Sequence, residues 1–413
     1  MKKFLFFAWV SALVAFSGLN QKAEATHLMG SDISYRCLGN GQYEINVRVY
    51  RDCNGINLSQ SPINFSCGSI SFSVNNQTRV SIRDITGMDP NCPIQSRCQG
   101  QWQFGIEEHL FRATVDLSGF NCCDWTISWS QNARNSAITT GQANQNFYTF
   151  AKLNKCVTPC NSSPEFTNPP IAIICHNQDF TFNNGALDTN DVGDSLSYEF
   201  APALINPGQS ANYTGNYSPL RPLCFFGFPN QNLNWPGGIH LDPLTGDLRF
   251  RPTCINQVAV VVIEVKEWRK VNGVMTVVGV TRRDMQIIVI PCPNNKIPKI
   301  LAPFTKQACA GQTVCIDINT TDDDQGDTVK ISWNRGIKGA TFTNNNGSVR
   351  HASGQVCWTP KEEDISSIPY TFTITAKDNS CSPFPGQSTR AYSIFVRETA
   401  DGTPHTQVLT CGR

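Results

Sequence analysis

The sequence predicts an all-β protein, and three observations favour this fold class. Polar and apolar residues alternate in short runs, such as 43–50, 70–74 and 370–374, which is typical of half-buried antiparallel strands. Glycine and proline interrupt these runs along the whole chain, as turns between short strands require. No long stretch carries the 3.6-residue period and the caps of an α-helix. Short strands of this kind are expected to pack as β-sandwiches.

The composition indicates a folded protein of several domains without a strongly charged surface. The chain has 413 residues, of which 40% are hydrophobic and 16% are charged, so it can bury several cores. The 33 lysines and arginines nearly balance the 32 aspartates and glutamates. Because nucleic-acid binding needs a basic surface, we expect no nucleic-acid partner.

Residues 1–25 are predicted to be a secretory signal peptide. Lys2 and Lys3 precede an apolar run at 4–16, and the segment closes on Ala23-Glu24-Ala25, which is the order of regions in such a peptide. No later run is long and apolar enough to span a membrane. The mature protein is therefore expected to be secreted, extracellular or at the cell surface, with no membrane span after signal removal.

The 18 cysteines indicate disulfides rather than a metal site, since disulfides persist in exported proteins. Their spacing offers no paired short motif with a histidine at zinc-finger distance. Nine cysteines fall in 26–165, four in 166–293 and five in 294–413. Because nine is odd, the first segment needs a bridge to another segment, a free thiol, or a partner outside this chain.

An internal repeat organises the second half of the chain. Four anchors recur in the same order, and the matched pairs are 191–198 with 324–331, 246–252 with 354–360, 265–267 with 376–378, and 283–289 with 390–396. Phe250 and Trp358 should therefore be equivalent core residues. The predicted parts of the mature chain are a cysteine-rich N-terminal β-domain at 26–165, sandwich repeats at 166–293 and 297–398, and a tail at 399–413.

Short motifs across 26–293 resemble one family of secreted surface proteins. The motifs are Thr26-His27-Leu28-Met29-Gly30, Ile33-Ser34-Tyr35-Arg36, Val49-Tyr50-Arg51-Asp52-Cys53, Arg134-Asn135, Asn161-Ser162-Ser163-Pro164-Glu165-Phe166, Gly193-Asp194-Ser195-Leu196 and Arg283-Asp284-Met285-Gln286-Ile287-Ile288-Val289. They are similar to motifs of the large gliding-motility-associated, cadherin-like and PKD-like repeat proteins that Bacteroidota export by the type IX secretion system. The size and strand count of the two repeats suit tandem immunoglobulin-like sandwiches, and the resemblance implies that these are cadherin-like or PKD-like. Family members usually end in a sorting domain that is not found here, so the tail is interpreted as the start of a truncated further domain.

Two acidic turns are the candidate metal sites. The first repeat contributes Asp188, Asn190, Asp191 and Asp194, and the second contributes Asp322, Asp323, Asp324 and Asp327. Ca²⁺ takes six to eight oxygen ligands, so dense carboxylates in a turn suit it. The cadherin-like repeats that these resemble bind Ca²⁺ at acidic turns near domain junctions. The alternative is a solvated turn whose aspartates cap the loop backbone. Calcium is the one cofactor expected.

No enzymatic activity is predicted. Gly193-Asp194-Ser195-Leu196 matches the nucleophile block of GDSL hydrolases. However, no histidine of the chain has an aspartate three residues before it, so Ser195 lacks the base that would activate it. The second repeat carries Gly326-Asp327-Thr328-Val329 at the same place, as a structural turn would.

The insertion at 223–238 is the candidate ligand-binding loop, because long insertions in sandwiches often carry binding sites. Its aromatic residues, which could pack against sugar faces, are Phe225, Phe226, Phe228 and Trp235. The alternative is that such rings belong to the core. A disulfide between Cys224 and Cys254 would brace the loop.

Together these features predict a non-enzymatic structural or adhesive protein of the cell surface, a stalk or adhesin module with a possible part in gliding. Its partners would be cell-surface or matrix proteins or glycans. The alternative is a glycan-binding module that uses the 223–238 loop, and a hydrolase ranks third.

Overall fold

The computed structural model describes residues 27–170, 173–188, 194–345 and 349–398. The predicted signal peptide and tail lie outside these ranges, and so do Asn190 and Asp191. Within them the regular structure is β-strand apart from two 3₁₀ turns, Arg97–Gln99 and Glu362–Asp364. The described residues contain no helix long and apolar enough to cross a membrane. The fold is all-β, as the sequence predicts.

The strands, in chain order, are β1 Leu28–Gly39, β2 Gln42–Asp52, β3 Ile63–Cys67, β4 Ile70–Val74, β5 Thr78–Asp84, β6 Ile106–Asp116, β7 Asp124–Gln131, β8 Phe147–Asn154, β9 Glu165–Phe166, β10 Ile173–Cys175, β11 Phe180–Asn183, β12 Ala186–Leu187, β13 Ser195–Phe200, β14 Leu204–Asn206, β15 Gln209–Ser210, β16 Ile239–Leu241, β17 Asp247–Phe250, β18 Val258–Val271, β19 Val274–Ile290, β20 Lys299–Leu301, β21 Thr305–Cys309, β22 Val314–Thr321, β23 Val329–Trp333, β24 Thr341–Asn344, β25 Ser353–Trp358, β26 Tyr370–Asp378 and β27 Gln387–Arg397.

The N-terminal segment and the first repeat share one large sheet. Its main path runs β4-β3-β7-β8-β19-β1-β2-β6-β5. Strand β19 pairs with β18 of its own repeat and also with β1, where Gly30 lies opposite Met285. A Cβ atom on Gly30 would lie 2.1 Å from the carbonyl oxygen of Asp284. Glycine is therefore needed for β1 to approach β19 this closely.

Several motif residues from the sequence meet at this junction as buried ion pairs. Asp32 of β1 accepts a hydrogen bond from the Tyr50 hydroxyl, and its Oδ2 lies 3.0 Å from Nη2 of Arg283. Arg134 donates to both carboxylate oxygens of Asp284, at 3.0 and 2.7 Å. Removing one partner of a buried pair costs about 3–5 kcal/mol. These pairs therefore fix how the N-terminal segment docks on β19.

The two repeats have the same strand pairing. In the first repeat, β10 runs parallel to β19, and β18 and β13 follow across the sheet. In the second repeat, β21 runs parallel to β27, and β26 and β23 follow in the same way. The facing sheets are β11-β17-β16 and β20-β22-β25-β24, and each pair of sheets encloses one apolar core. Phe250 and Trp358 are both buried there. Each repeat is an immunoglobulin-like sandwich.

The second repeat packs against both of the other parts. Oδ1 of Asp247, in β17, accepts a hydrogen bond from the backbone nitrogen of Ala391 in β27 at 2.9 Å, and Oδ2 lies 2.9 Å from Nε of Arg390. A disulfide joins Cys92 of the N-terminal segment to Cys381 of the second repeat, 289 residues away. This bridge between segments accounts for the odd cysteine count of 26–165.

None of the cysteines in the described ranges is free. The pairs are Cys37–Cys160, Cys53–Cys98, Cys67–Cys122, Cys92–Cys381, Cys123–Cys156, Cys175–Cys292, Cys224–Cys254 and Cys315–Cys357. Cys309 is disulfide-bonded as well.

Candidate functional site

The acidic turn of the second repeat, between β22 and β23, brings three of the predicted aspartates together. Carboxylate oxygens of Asp322, Asp324 and Asp327 lie within 4.8 Å of one another. Asp322 is buried, and its Oδ1 accepts a hydrogen bond from the backbone nitrogen of Asp324 at 2.9 Å. Asp323 does not join them, because its exposed carboxylate turns to Lys299, whose Nζ lies 3.4 Å away.

A fourth carboxylate, Asp378, stands at the end of β26, directly opposite Val329 at the start of β23. Its Oδ1 accepts hydrogen bonds from the backbone nitrogens of Ser380 and Gly386, at 3.0 and 2.8 Å. Its Oδ2 is buried and has no hydrogen-bond partner. Asp378 is not among the site residues predicted from the sequence, although the matched segments 265–267 and 376–378 both end in an acidic residue.

The negative charges of the turn between β22 and β23 act on the carboxyl group of Asp378. Burial, and after it the negative charges of Asp322 and Asp327, raise the pKa of Asp378 to about 7. Burial likewise raises the pKa of Asp322; the hydrogen bond from the Asp324 backbone opposes this rise, and the negative charges of Asp324 and Asp327 add to it. We call Asp322, Asp324, Asp327 and Asp378 the repeat-2 acidic cluster. Its carboxylates repel one another, so a cation or protons must balance their charge.

The first repeat has an equivalent group, the repeat-1 acidic cluster, formed by Asp188, Asp194 and Glu267. Their carboxylate oxygens lie within 4.8 Å of one another. Glu267, in β18, is fully buried, and its Oε2 accepts a hydrogen bond from Asn161 Nδ2 at 2.8 Å. Burial, a hydrogen bond with Asp194 and the charge of Asp188 raise the pKa of Glu267 to about 10. Glu267 is therefore protonated at neutral pH.

An arginine completes the repeat-1 acidic cluster. Nε of Arg269 donates to Oδ1 of Asp194 at 2.6 Å, and the same guanidinium reaches Oδ2 of that carboxylate. Nη2 of Arg269 also donates to Asn161 Oδ1 at 3.1 Å. Arg269 follows Glu267 by two residues, and the residue two places after Asp378 is Ser380. The two acidic clusters therefore differ by one positive charge.

The structure places the four aromatic residues of the 223–238 loop in different surroundings. The prediction of Phe225 as a ligand-binding residue is wrong: it is fully buried in the core, with its ring centre 5.3 Å from that of Phe228. Phe228 is half-buried against the same core. Phe226 is half exposed, and the Trp235 ring is covered by the guanidinium of Arg249 at 4.1 Å. Cys224 is bonded to Cys254, the pair that the sequence singled out.

Residues 231–234 of this loop line a groove of about 520 Å³ that was not predicted from the sequence. Its polar lining includes Glu199, Gln231, Asn232, Asn234 and His240, and none of the four predicted aromatic residues lines it. Amide, carboxylate and imidazole groups of this kind can hydrogen-bond to a ligand rich in hydroxyl groups.

A cavity of about 1010 Å³ lies where the N-terminal segment meets the two repeats. The N-terminal segment contributes Asp84 and Thr86 to its walls, and the first repeat contributes Phe180. The second repeat contributes Trp333 and Lys377. The Asp84 carboxylate accepts hydrogen bonds from the hydroxyl and the backbone nitrogen of Thr86, at 2.6 and 3.0 Å. Because three parts build this cavity, its shape depends on how they pack.

No family model and no curated protein sequence matches the chain. Among solved structures, the chain is similar to Dpr2 Ig1-Ig2 in its complex with DIP-Theta, at 9% identity and a TM-score of 0.23 over 57% of this chain and 98% of that one. It is also similar to extracellular cadherin domains 1–5 of protocadherin gamma B2, at 13% identity and a TM-score of 0.20 over 87% and 66% of the two chains. A third similarity is to the sialic acid binding region of the Streptococcus sanguinis SK1 adhesin, at 11% identity and a TM-score of 0.20 over 57% and 78%.

Proposed function

We propose that this protein is a non-enzymatic extracellular module with an adhesive or structural role at a cell surface. The observation that carries the proposal is the locked arrangement of its three parts. One sheet continues from the N-terminal segment into the first repeat, and the disulfide between Cys92 and Cys381 ties that segment to the second repeat. Disulfides persist in oxidising compartments, and a cross-linked body of this kind can transmit a load without its parts separating.

The partners we propose are cell-surface or matrix proteins or glycans. A more specific role as a gliding-associated surface protein of Bacteroidota, exported through a signal peptide at 1–25, rests on the sequence motifs. Its support is that Asp32, Arg134, Arg283 and Asp284, which lie in or next to these motifs, form the buried pairs that join the N-terminal segment to β19.

The test is equilibrium binding of the labelled mature chain, with its disulfides intact, to intact cells of the producing organism and to matrix-coated surfaces. We expect saturable binding that unlabelled native protein competes away and that reduction with alkylation abolishes. Linear, non-competable binding on every surface would contradict the proposal. Hydrolysis of acyl esters that disappears in the Ser195→Ala variant would establish the hydrolase instead.

Glycan binding is the second candidate, and the groove lined by residues 231–234 of the 223–238 loop favours it. Asn232 and Asn234 are exposed on its rim, while Nε2 of His240 is held 2.7 Å from the carbonyl oxygen of Gly237. Planar amides and an anchored imidazole suit a ligand with several hydroxyl groups.

A glycan array probed with the mature protein tests this second candidate. We expect a restricted set of bound glycans, with binding to that set reduced at least tenfold by Asn232→Ala or His240→Ala. The matched control is Asn216→Ala, an exposed asparagine outside the groove lining. An array without selective binding, or equal loss in the control, would exclude the groove as a glycan site.

A further inference from the structure

The two acidic clusters occupy the same place in the repeated fold. In each repeat, aspartates precede the strand that pairs with the long penultimate strand, and that long strand supplies one more carboxylate. Leu196, near the start of β13, pairs with Glu267, and Val329, at the start of β23, pairs with Asp378. The two sites can therefore be compared group by group.

The repeat-1 acidic cluster already contains its positive charge. The Arg269 guanidinium contacts both carboxylate oxygens of Asp194 and is held from the other side by Asn161. A bidentate arginine–carboxylate pair has two parallel charge-assisted hydrogen bonds and fixed geometry. A divalent ion at the same point would be repelled by this guanidinium, which carries its charge at any physiological pH.

The repeat-2 acidic cluster contains no such charge. Within the described part of the chain, no lysine, arginine or histidine forms an ion pair with Asp322, Asp324, Asp327 or Asp378, and the nearby Lys299 pairs with Asp323 outside the cluster. Asp322 and Asp378 are each only 2% exposed.

Each of these two buried carboxylates also keeps one oxygen, Oδ2, buried without a hydrogen-bond partner. Leaving a buried acceptor unpaired costs about 1–3 kcal/mol, and more for a charged group. A cation held by the carboxylates of Asp322, Asp324 and Asp327, whose oxygens lie within 4.8 Å of one another, would compensate such an oxygen, and Asp378 lies across the strand pair from Val329, two residues after Asp327.

We propose that the repeat-2 acidic cluster binds one Ca²⁺ ion and that Arg269 replaces the ion in the repeat-1 acidic cluster. The ligand chemistry selects the metal. The cluster offers carboxylate oxygens, which suit hard cations, whereas zinc sites are built mainly from thiolate and imidazole. Ca²⁺ accepts many oxygen ligands in flexible geometry, while Mg²⁺ demands a near-ideal octahedron and keeps several waters. This inference goes beyond the adhesive role and does not depend on it.

The test counts bound ions by isothermal titration of the chelator-treated mature protein with CaCl₂ at neutral pH, disulfides intact. We expect one ion per chain, with a dissociation constant in the range of roughly 10⁻⁴–10⁻³ M of extracellular modules. Asp378→Asn and Asp324→Asn should each weaken binding at least tenfold. Asp323→Asn, a neighbouring aspartate outside the cluster, is the matched control and should leave binding unchanged.

The same titration of the Arg269→Gln variant tests whether Arg269 replaces the ion in the repeat-1 acidic cluster. Removing the guanidinium should add a second Ca²⁺ ion per chain, while the double variant Arg269→Gln/Asp378→Asn should retain one. No binding by the wild-type protein, or full affinity in Asp378→Asn, would overturn the repeat-2 site, whereas two ions in the wild type would overturn the replacement of the ion by Arg269. If Arg269→Gln keeps the native circular dichroism spectrum and still binds one ion, the replacement by arginine is wrong. If Arg269→Gln does not fold, the wild-type count and Asp378→Asn still decide the repeat-2 site.

Discussion

Replacing Asp247 with alanine should loosen the contact between the two repeats. Asp247 is buried at this contact and serves three partners. Its Oδ1 accepts hydrogen bonds from Asn183 Nδ2 and from the backbone nitrogen of Ala391, both at 2.9 Å, and its Oδ2 lies 2.9 Å from Nε of Arg390. The substitution leaves the Ala391 amide without its acceptor and Arg390 without its counter-ion, while Asn183 Nδ2 keeps its hydrogen bond to the carbonyl oxygen of Thr245.

The expected cost follows from these contacts. Removing one member of a buried ion pair costs about 3–5 kcal/mol, because the other charge stays buried without compensation. An unpaired buried amide adds about 1–3 kcal/mol. Since the Arg390 side chain is 17% exposed and water can reach part of it, we expect Asp247→Ala to lower the free energy of unfolding by about 3–5 kcal/mol in total.

Urea unfolding of the mature protein with intact disulfides measures this change, and hydrogen exchange locates it. The amide of Ala391 should lose most of its protection. Asp323→Ala is the control, since it removes an exposed ion pair worth at most about 1 kcal/mol. A change below about 1 kcal/mol in Asp247→Ala, with the Ala391 amide still protected, would refute the claim that this contact holds the repeats together.

Four further predictions concern the disulfides, the buried Glu267 and the Ca²⁺ site. Mass mapping of the mature protein without reduction should find no more than two free thiols, whereas six or more would contradict the disulfide framework. Replacing both Cys92 and Cys381 with serine opens the longest disulfide loop of the described residues and should lower stability by up to about 5 kcal/mol, measured by thermal unfolding. Because burial raises the pKa of Glu267 to about 10, the folded state binds a proton that the unfolded state releases above its ordinary pKa. Stability should therefore fall as pH rises from about 4.5 towards 10, by up to about 1.4 kcal/mol per pH unit. Glu267→Gln should remove that slope in pH-dependent urea titrations. At a hundredfold excess of Ca²⁺ over the dissociation constant, the ion should stabilise the wild type by about 2.7 kcal/mol, so chelation should lower its melting temperature. In Asp378→Asn the same treatment should have at most about half this effect, because at least tenfold weaker binding leaves at most about 1.4 kcal/mol.

The strands and the repeat could be predicted from the sequence because both are local patterns. Alternation marks a half-buried strand wherever it occurs, and matched turns align two copies without any structure. Partners across the sheet could not be predicted, since a period of two does not specify which strand lies beside which. The pairing of β1 with β19 depends on Gly30 and on Asp32 meeting Arg283, residues that are far apart in sequence.

The candidate site could be predicted in part for the same reason. The aspartates of each turn are neighbours in the chain, so their density was visible, but the third or fourth carboxylate comes from a distant strand. Asp323, a neighbour of the clustered aspartates in the chain, instead pairs with Lys299 at 3.4 Å on the surface. Phe225 and Phe226 are adjacent and equally aromatic, yet one is buried and the other is half exposed, and composition cannot distinguish them.

Adhesion under load is the measurement that tests the central claim most directly. Beads coated with the mature, disulfide-intact protein are allowed to settle on cells or matrix in a flow chamber, and the shear stress that detaches them is recorded. A cross-linked adhesive body predicts retention at shear that removes beads coated with reduced and alkylated protein, and soluble native protein should release the retained beads. Detachment of both kinds of bead at the same low shear would contradict an adhesive role.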